Sequence, residues 1–112
     1  MRTVCSVVLG LLLAGCDHAH TTATAEDFRR GNDIITAVEK YRAAHGDYPD
    51  TLSVLAPNYI RAVEDPDYGE QRWDYIHHAE KGTYGLFMWR RDKAGYGYNV
   101  PEPTWTYIDN SF

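Results

Sequence analysis

The chain has 112 residues, with 11 Lys and Arg against 16 Asp and Glu, a formal net charge of −5 and a pI near 5.4. That length supports one small domain around one core. An acidic surface of mixed charge argues against nucleic acid or an anionic bilayer as an electrostatic partner.

Residues 1–17 read MRTVCSVVLGLLLAGCD. Arg2 supplies a positive start, and Val4 to Ala14 is an apolar run of 11 residues. A spanning helix needs about 20 apolar residues, so this run is too short to stay in a bilayer. Its length and flanking charge fit the apolar centre of a secretory signal peptide. Leu13-Ala14-Gly15-Cys16 resembles the lipobox of bacterial lipoproteins. The resemblance implies cleavage before Cys16, a diacylglycerol thioether on its sulfur and usually an acylated amine. An ordinary signal peptide that ends in a Cys is the plain alternative. Each buried CH₂ contributes about 0.8 kcal/mol, and two or more chains hold a protein on a membrane where one does not. In enteric-type lipoproteins, Asp17 after the Cys implies retention at the inner membrane, facing the periplasm; the outer membrane is the other destination. The expected division is a signal peptide over 1–15, a polar tether over 16–25 and one folded domain over 26–112.

Cys5 is the only other thiol, and it leaves with the leader. The mature chain then has no pair to oxidise, and its fold rests on its core alone. Loss of Arg2 leaves ten Lys and Arg against 16 Asp and Glu, a net charge of −6.

His18-Ala-His-Thr-Thr-Ala-Thr24 is small and polar and reads as the tether. Thr24 followed by Asp27 predicts an N-cap with a carboxylate at N3. From there to His45, Phe28, Ile34, Ile35, Val38 and Tyr41 share one helical face, with Ala37 and Ala44 beside them. Gly31 weakens the first half by about 1 kcal/mol relative to Ala. Gly46 is placed to end the helix. Asp50 or Thr51 then caps a short apolar turn, Leu52 to Leu55, which Pro57 stops. Residues 61–72 read as a polar loop. The remainder, 68–112, holds 11 of the 15 aromatics, which marks it as strand-rich. Alternation predicts strands over 72–78, 83–90, 96–100 and 105–109, with turns at 79–82 and 92–95. The expected fold is α+β: one long N-terminal amphipathic helix on a three- to four-stranded antiparallel sheet.

The sharp break at His45-Gly46-Asp47-Tyr48-Pro49 opens a larger pattern. Tyr41, Tyr48, Pro49, Leu52, Leu55, Pro57, Tyr59 and Ile60 give Tyr-x(6)-Tyr-Pro-x-x-Leu-x-x-Leu-x-Pro-x-Tyr-Ile. This resembles the periplasmic head domains of type II secretion pseudopilins and related pilin-like proteins, over roughly residues 28–90. The resemblance implies a pilin-like head whose sheet opens near Trp73-Asp-Tyr75. The chain departs from that family in lacking a prepilin-peptidase site and a long hydrophobic stem. The residues alone say that Gly46 ends the helix and Pro49 prevents its resumption. Tyr48, Leu52 and Leu55 are then expected to fold back over the sheet; an ordinary surface turn is the alternative.

No catalytic, metal or cofactor site is expected. His77 and His78 are adjacent on a strand and point to opposite faces, so they cannot share a metal. His18-x-His20 has no third ligand nearby, and Asp65, Asp67 and Glu70 read as a solvated loop. Glu102, Asp109 and Asn110 are too scattered for calcium. Ser53 and Ser111 lack a nucleophile context, and Gly95-Tyr-Gly97 opens a strand where a phosphate loop would open a helix. The surplus aromatics Tyr84, Trp89, Tyr96, Tyr98, Trp105 and Tyr107 are the candidates for a binding surface. The resulting expectation is a lipid-anchored, non-catalytic envelope protein with a protein partner, serving a secretion or pilus-like machine. The alternatives are an immunity lipoprotein that neutralises a delivered basic toxin and, third, a small envelope enzyme using His77 or His78.

Overall fold

A computed structural model describes residues 22–100 and 102–109. The expectations placed on residues 1–21, including the lipobox, Cys16, Asp17 and the histidines of the tether, lie outside the described residues, as do Asn110 and Ser111. The described chain is one α+β unit. Helix α1 (Ala25–His45) is followed by a 3₁₀ turn (Leu52–Val54) and strands β1 (Trp73–His78), β2 (Thr83–Trp89), β3 (Ala94–Asn99) and β4 (Trp105–Asp109). The strands form one antiparallel sheet in the order β1-β2-β3-β4.

α1 starts where its cap residues place it. The Thr24 hydroxyl accepts from Asp27 N–H at 3.3 Å, and Asp27 Oδ2 accepts from Thr24 N–H at 3.0 Å. This reciprocal box satisfies donors that every helix start leaves open. Asp27 is fully buried, and its second oxygen accepts from Asp67 N–H at 2.7 Å. One carboxylate therefore caps the helix and pins a loop forty residues away. The same loop is bound from outside by Arg29 and Arg30, which reach Glu26, Glu64 and Asp67. Hydrogen bonding to Arg29 holds the Glu26 carboxyl down at about 2.

Gly46 ends α1 at φ +87°, and its N–H donates to Arg42 O at 2.7 Å. The residues beyond it turn inward. Tyr48 is 7% exposed and packs edge-on against Tyr84 with centroids 4.7 Å apart. Pro49 is buried, its carbonyl accepting from Tyr75 O–H at 2.6 Å, and Leu55 is fully buried. The short turn has Thr51 at its N-cap without a capping hydrogen bond; Thr51 Oγ1 meets Ser53 Oγ instead. The break is therefore an in-turn that adds Tyr48, Pro49 and Leu55 to the core.

That core lies between α1 and one sheet face. Ile34, Ala37 and Val38 meet Tyr84 and Leu86, with Trp73, Tyr75, Tyr98 and Trp105 packed around them. Each fully buried aliphatic side chain contributes about 1.5–3 kcal/mol. Ala44, expected beside the apolar stripe, is exposed, because α1 projects past the core in its last turn. The polar loop contributes more than its composition suggests: Tyr68 is 1% exposed and packs on Tyr96.

The second hairpin departs most from expectation. The second hairpin turns at Arg90–Lys93, and β3 begins at Ala94, two residues before the predicted start. Lys93 takes φ +71° and lets the turn close early. Ala94 and Gly95 then pair with Asp109 and Ile108 on one side, and Gly95 with Trp89 on the other. The earlier start lengthens β3 without shifting its register, so its alternation of faces is unchanged.

Gly31 is the more instructive departure. It lies buried under two indoles. A Cβ there would stand 2.6 Å from Trp105 Cζ2 and 3.0 Å from Trp73 Cη2. The helix propensity that Ala would add is about 1 kcal/mol, and overpacking of a filled core costs about 1–3 kcal/mol. Gly31→Ala is therefore expected to lower unfolding free energy by up to about 2 kcal/mol in urea titration, where propensity alone would raise it.

Glu26 gives a second prediction. Its folded-state acidity lies below the unfolded value of 4.5, so its contribution is present above that pH and fades as pH falls toward 2. Melting temperature is expected to drop between about pH 5 and pH 2, and Glu26→Gln is expected to flatten that slope.

Candidate binding surface

Strand alternation divides the side chains cleanly. Trp73, Tyr75 and His77 of β1 share the helix side with Tyr84, Leu86 and Met88 of β2. The opposite, outer face carries Asp74, Ile76 and His78 from β1 and Thr83, Gly85, Phe87 and Trp89 from β2. From β3 and β4 it carries Gly95, Gly97, Asn99, Thr106 and Ile108.

Three glycines on this outer face have no side chain, and aromatic rings occupy the space. A Cβ on Gly97 would stand 2.6 Å from Phe87 Cδ1, and one on Gly85 would stand 2.6 Å from Phe87 Cε2. The Phe87 ring therefore lies down across both glycines. The Trp89 ring lies the same way on Gly95, with Cε3 at 2.8 Å from the Cβ position. The two rings are nearly parallel, at 12° with centroids 5.4 Å apart. Trp89 Nε1–H donates to Asp74 Oδ2 at 3.0 Å, so the indole is held in one orientation. Ile76 is 41% exposed at the β1 side. The result is a stiff apolar strip rimmed by Thr83, Asn99 and Thr106. Rigid aromatics with a polar rim suit binding, because little side-chain entropy is lost on contact.

At one end the strip meets a cleft of about 320 Å³ lined by Glu70, Trp89, Arg90, Arg91 and Lys93. Arg90 is paired there with Asp92 at 2.6 Å, and that contact holds the Asp92 carboxyl below its ordinary range. A second cleft of about 300 Å³ lies beside α1, between Arg30, Asp33 and residues 60–64.

The six aromatics singled out in the sequence do not form one surface. Trp89 lies on the outer strip. Tyr84 is a correction: it is fully buried between Tyr48, Tyr75 and Tyr98, and burial pushes its phenol well above the ordinary value of 10. It fills the core because its partner across the strand is His77, on the helix side. Tyr96, Tyr98 and Trp105 are half-buried on that same side, and Trp105 Nε1–H donates to Asn32 Oδ1 at 3.0 Å. Tyr107 is 51% exposed at the β4 edge, its ring against Tyr96. Phe87 belongs to the outer strip and was not among the six. Its signal in the sequence is the spacing Gly85-x-Phe87-x-Trp89 facing Gly95-x-Gly97, two glycine-flanked strands that pair.

His77 and His78 take opposite faces, as adjacent strand residues do. The His77 side chain is 6% exposed, with Nδ1 at 2.9 Å from Asp50 Oδ1 and Nε2 at 3.4 Å from Asp47 Oδ1. Its ring also meets Tyr48 edge-on. It fastens the residues after Gly46 to β1. Among the described residues, no group of three His, Cys, Asp or Glu side chains converges on a metal position.

The glycine rule predicts that Gly97→Ala lifts Phe87 off the sheet. Stability is expected to fall by about 1–3 kcal/mol, measured by denaturant unfolding, and ring-current shifts of Ile108 are expected to collapse. Asp74→Ala leaves Trp89 unanchored, with a red-shifted and broader indole emission. No family model, no curated protein and no solved structure matches this chain.

Proposed function

We propose that this chain is a lipid-anchored, non-catalytic cell-envelope protein whose domain is a pilin-like head. It acts as a binding or assembly component beside a type II secretion or pilus-like system. The anchor is the lipid on Cys16, in the inner membrane by the reading of Asp17. The observation that carries the binding role is the Phe87–Trp89 strip, two parallel rings seated on glycine, with the indole held by Asp74. Support for the head-domain reading comes from the Tyr48-Pro49 break, whose residues enter the core. Support for a non-catalytic role comes from His77, one of the two imidazoles, with His78, that an enzyme reading would use. Its Nδ1 is engaged with Asp50 Oδ1 at 2.9 Å, which fastens the residues after Gly46 to β1.

The net charge of −6 favours a second reading, an envelope immunity lipoprotein that neutralises a basic toxin. The two readings part on the partner. Pull-down of the lipidated chain is expected to recover secretion or pilus components. Recovery of a basic toxin alone would transfer support to the immunity reading.

The anchor is tested separately. Mass spectrometry is expected to find a mature N-terminus at a diacylated Cys16, and Cys16→Ser is expected to move the protein out of the membrane fraction. An unlipidated mature chain would refute the anchor. Trp89→Ala is expected to weaken partner binding by about 2 kcal/mol or more, some thirtyfold, with circular dichroism retained.

A further inference from the structure

On the binding role proposed for the outer strip, we infer that the cleft beside Trp89 takes an acidic segment of a partner protein. Carboxylates of that segment meet Arg91 and Lys93, and an apolar neighbour covers the indole. The cleft needs neither the lipid nor a particular machine.

Its backbone is fixed on both sides. One wall is the loop before β1, where Glu70 N–H donates to Trp89 O at 2.9 Å. Gly69, at φ +57°, lies so close to β2 that a Cβ there would strike the same carbonyl. The other wall is the hairpin turn after β2. Arg90 N–H donates to Ala94 O at 2.7 Å, and Lys93 N–H donates to Arg90 O at 3.0 Å. Trp89 joins the two walls: its carbonyl holds the loop, and its ring, oriented by Asp74, lines the cleft. A site already in its binding shape loses little freedom when a ligand enters.

Charge sets this cleft apart. The whole chain carries −5. Among the described residues that line the cleft or pair with its lining, Arg72, Arg90, Arg91 and Lys93 stand against Glu70 and Asp92. Four cations and two carboxylates leave a local charge of +2. Both acids are occupied, Glu70 by Arg72 at 3.2 Å and Asp92 by Arg90 at 2.6 Å. Arg91 and Lys93 are exposed, and among the described residues neither side chain meets a carboxylate. By contrast, Arg29 and Arg30 of α1 each meet three acids.

The occupant follows from two unpaired cations beside an oriented indole. A free phosphate uses the cations and leaves the indole uncovered. An anionic bilayer faces a chain whose net negative charge repels it. A peptide with acids next to an apolar residue uses both features. Its carboxylates form charge-assisted hydrogen bonds with the guanidinium, and its apolar side chain buries ring surface. A cleft of about 320 Å³ has room for a few such side chains. A basic partner is repelled there, so the cleft also separates the two readings of the partner.

Fluorescence anisotropy tests this with the full chain in detergent and a labelled peptide alternating Glu and Leu. The peptide is expected to bind, and its affinity to fall about tenfold or more from about 0.05 to about 0.5 M salt. Counterparts with Gln or Lys in place of Glu are expected to bind at least about tenfold more weakly. Arg91→Glu is expected to weaken the Glu-Leu peptide by about tenfold or more. Lys81→Glu, on the exposed turn between β1 and β2, changes net charge equally and is expected to stay within about twofold. Lys93→Gln carries the same direction as Arg91→Glu should that variant lose its circular dichroism. No binding up to about 1 mM peptide, equal binding of the Gln peptide, or equal weakening by Arg91→Glu and Lys81→Glu overturns the proposal. So does full competition by inorganic phosphate or by soluble short-chain phosphatidylglycerol, which would make the cleft an anion or lipid site. A partner recovered equally by the parent chain and Arg91→Glu, yet lost with Trp89→Ala, overturns the cleft and leaves the strip's role standing. Peptide binding as expected, with no partner recovered, supports the cleft and removes the assembly role.

Discussion

The structure depends on aromatic rings laid directly on glycine backbone. Gly31 of α1 receives Trp105 and Trp73, which brings helix and sheet together without a disulfide. On the other side of the sheet, Gly85 and Gly97 receive Phe87, and Gly95 receives Trp89. In each case a methyl group would stand closer than 3 Å to ring carbons. A small domain must find apolar contact wherever it can, because its surface is large relative to its core. Glycine lets a large ring cover backbone at van der Waals distance. It also fixes the ring, since the ring has one place to lie.

Two polar anchors organise what surrounds that arrangement. Asp27 caps α1 and binds Asp67 N–H, so the helix start and the loop before β1 are one unit. At the other end of α1, Gly46 reverses the chain and His77 receives the reversed segment through Asp50. A buried carboxylate is costly unless its lone pairs are used, and Asp27 accepts hydrogen bonds at both oxygens. The helix is therefore fastened at both ends, and the sheet turns one face to the core and the other away from it.

That division bears on function. The helix-side aromatics spend themselves on packing, with Tyr84 as the extreme case. The outer strip keeps two oriented rings on a rigid scaffold, where binding needs little reorganisation.

Sequence by itself determined the elements of this protein. The Thr24–Asp27 box, the apolar period of α1, the stop at Gly46 and the alternation of the strands are short-range signals, set by neighbours within one turn or one pleat. They place α1 and four strands with boundary errors of about two residues. The roles of individual residues were decided by the tertiary structure. Gly31 reads as a weak point until two indoles from residues 73 and 105 are brought over it. Tyr84 and Tyr107 read alike, yet one is buried and the other half exposed, because one faces the helix from a central strand and the other stands on an edge. Phe87 gains its place from Gly97, a partner that only strand pairing supplies. Such roles depend on contacts between residues far apart in the chain, and no local pattern encodes them.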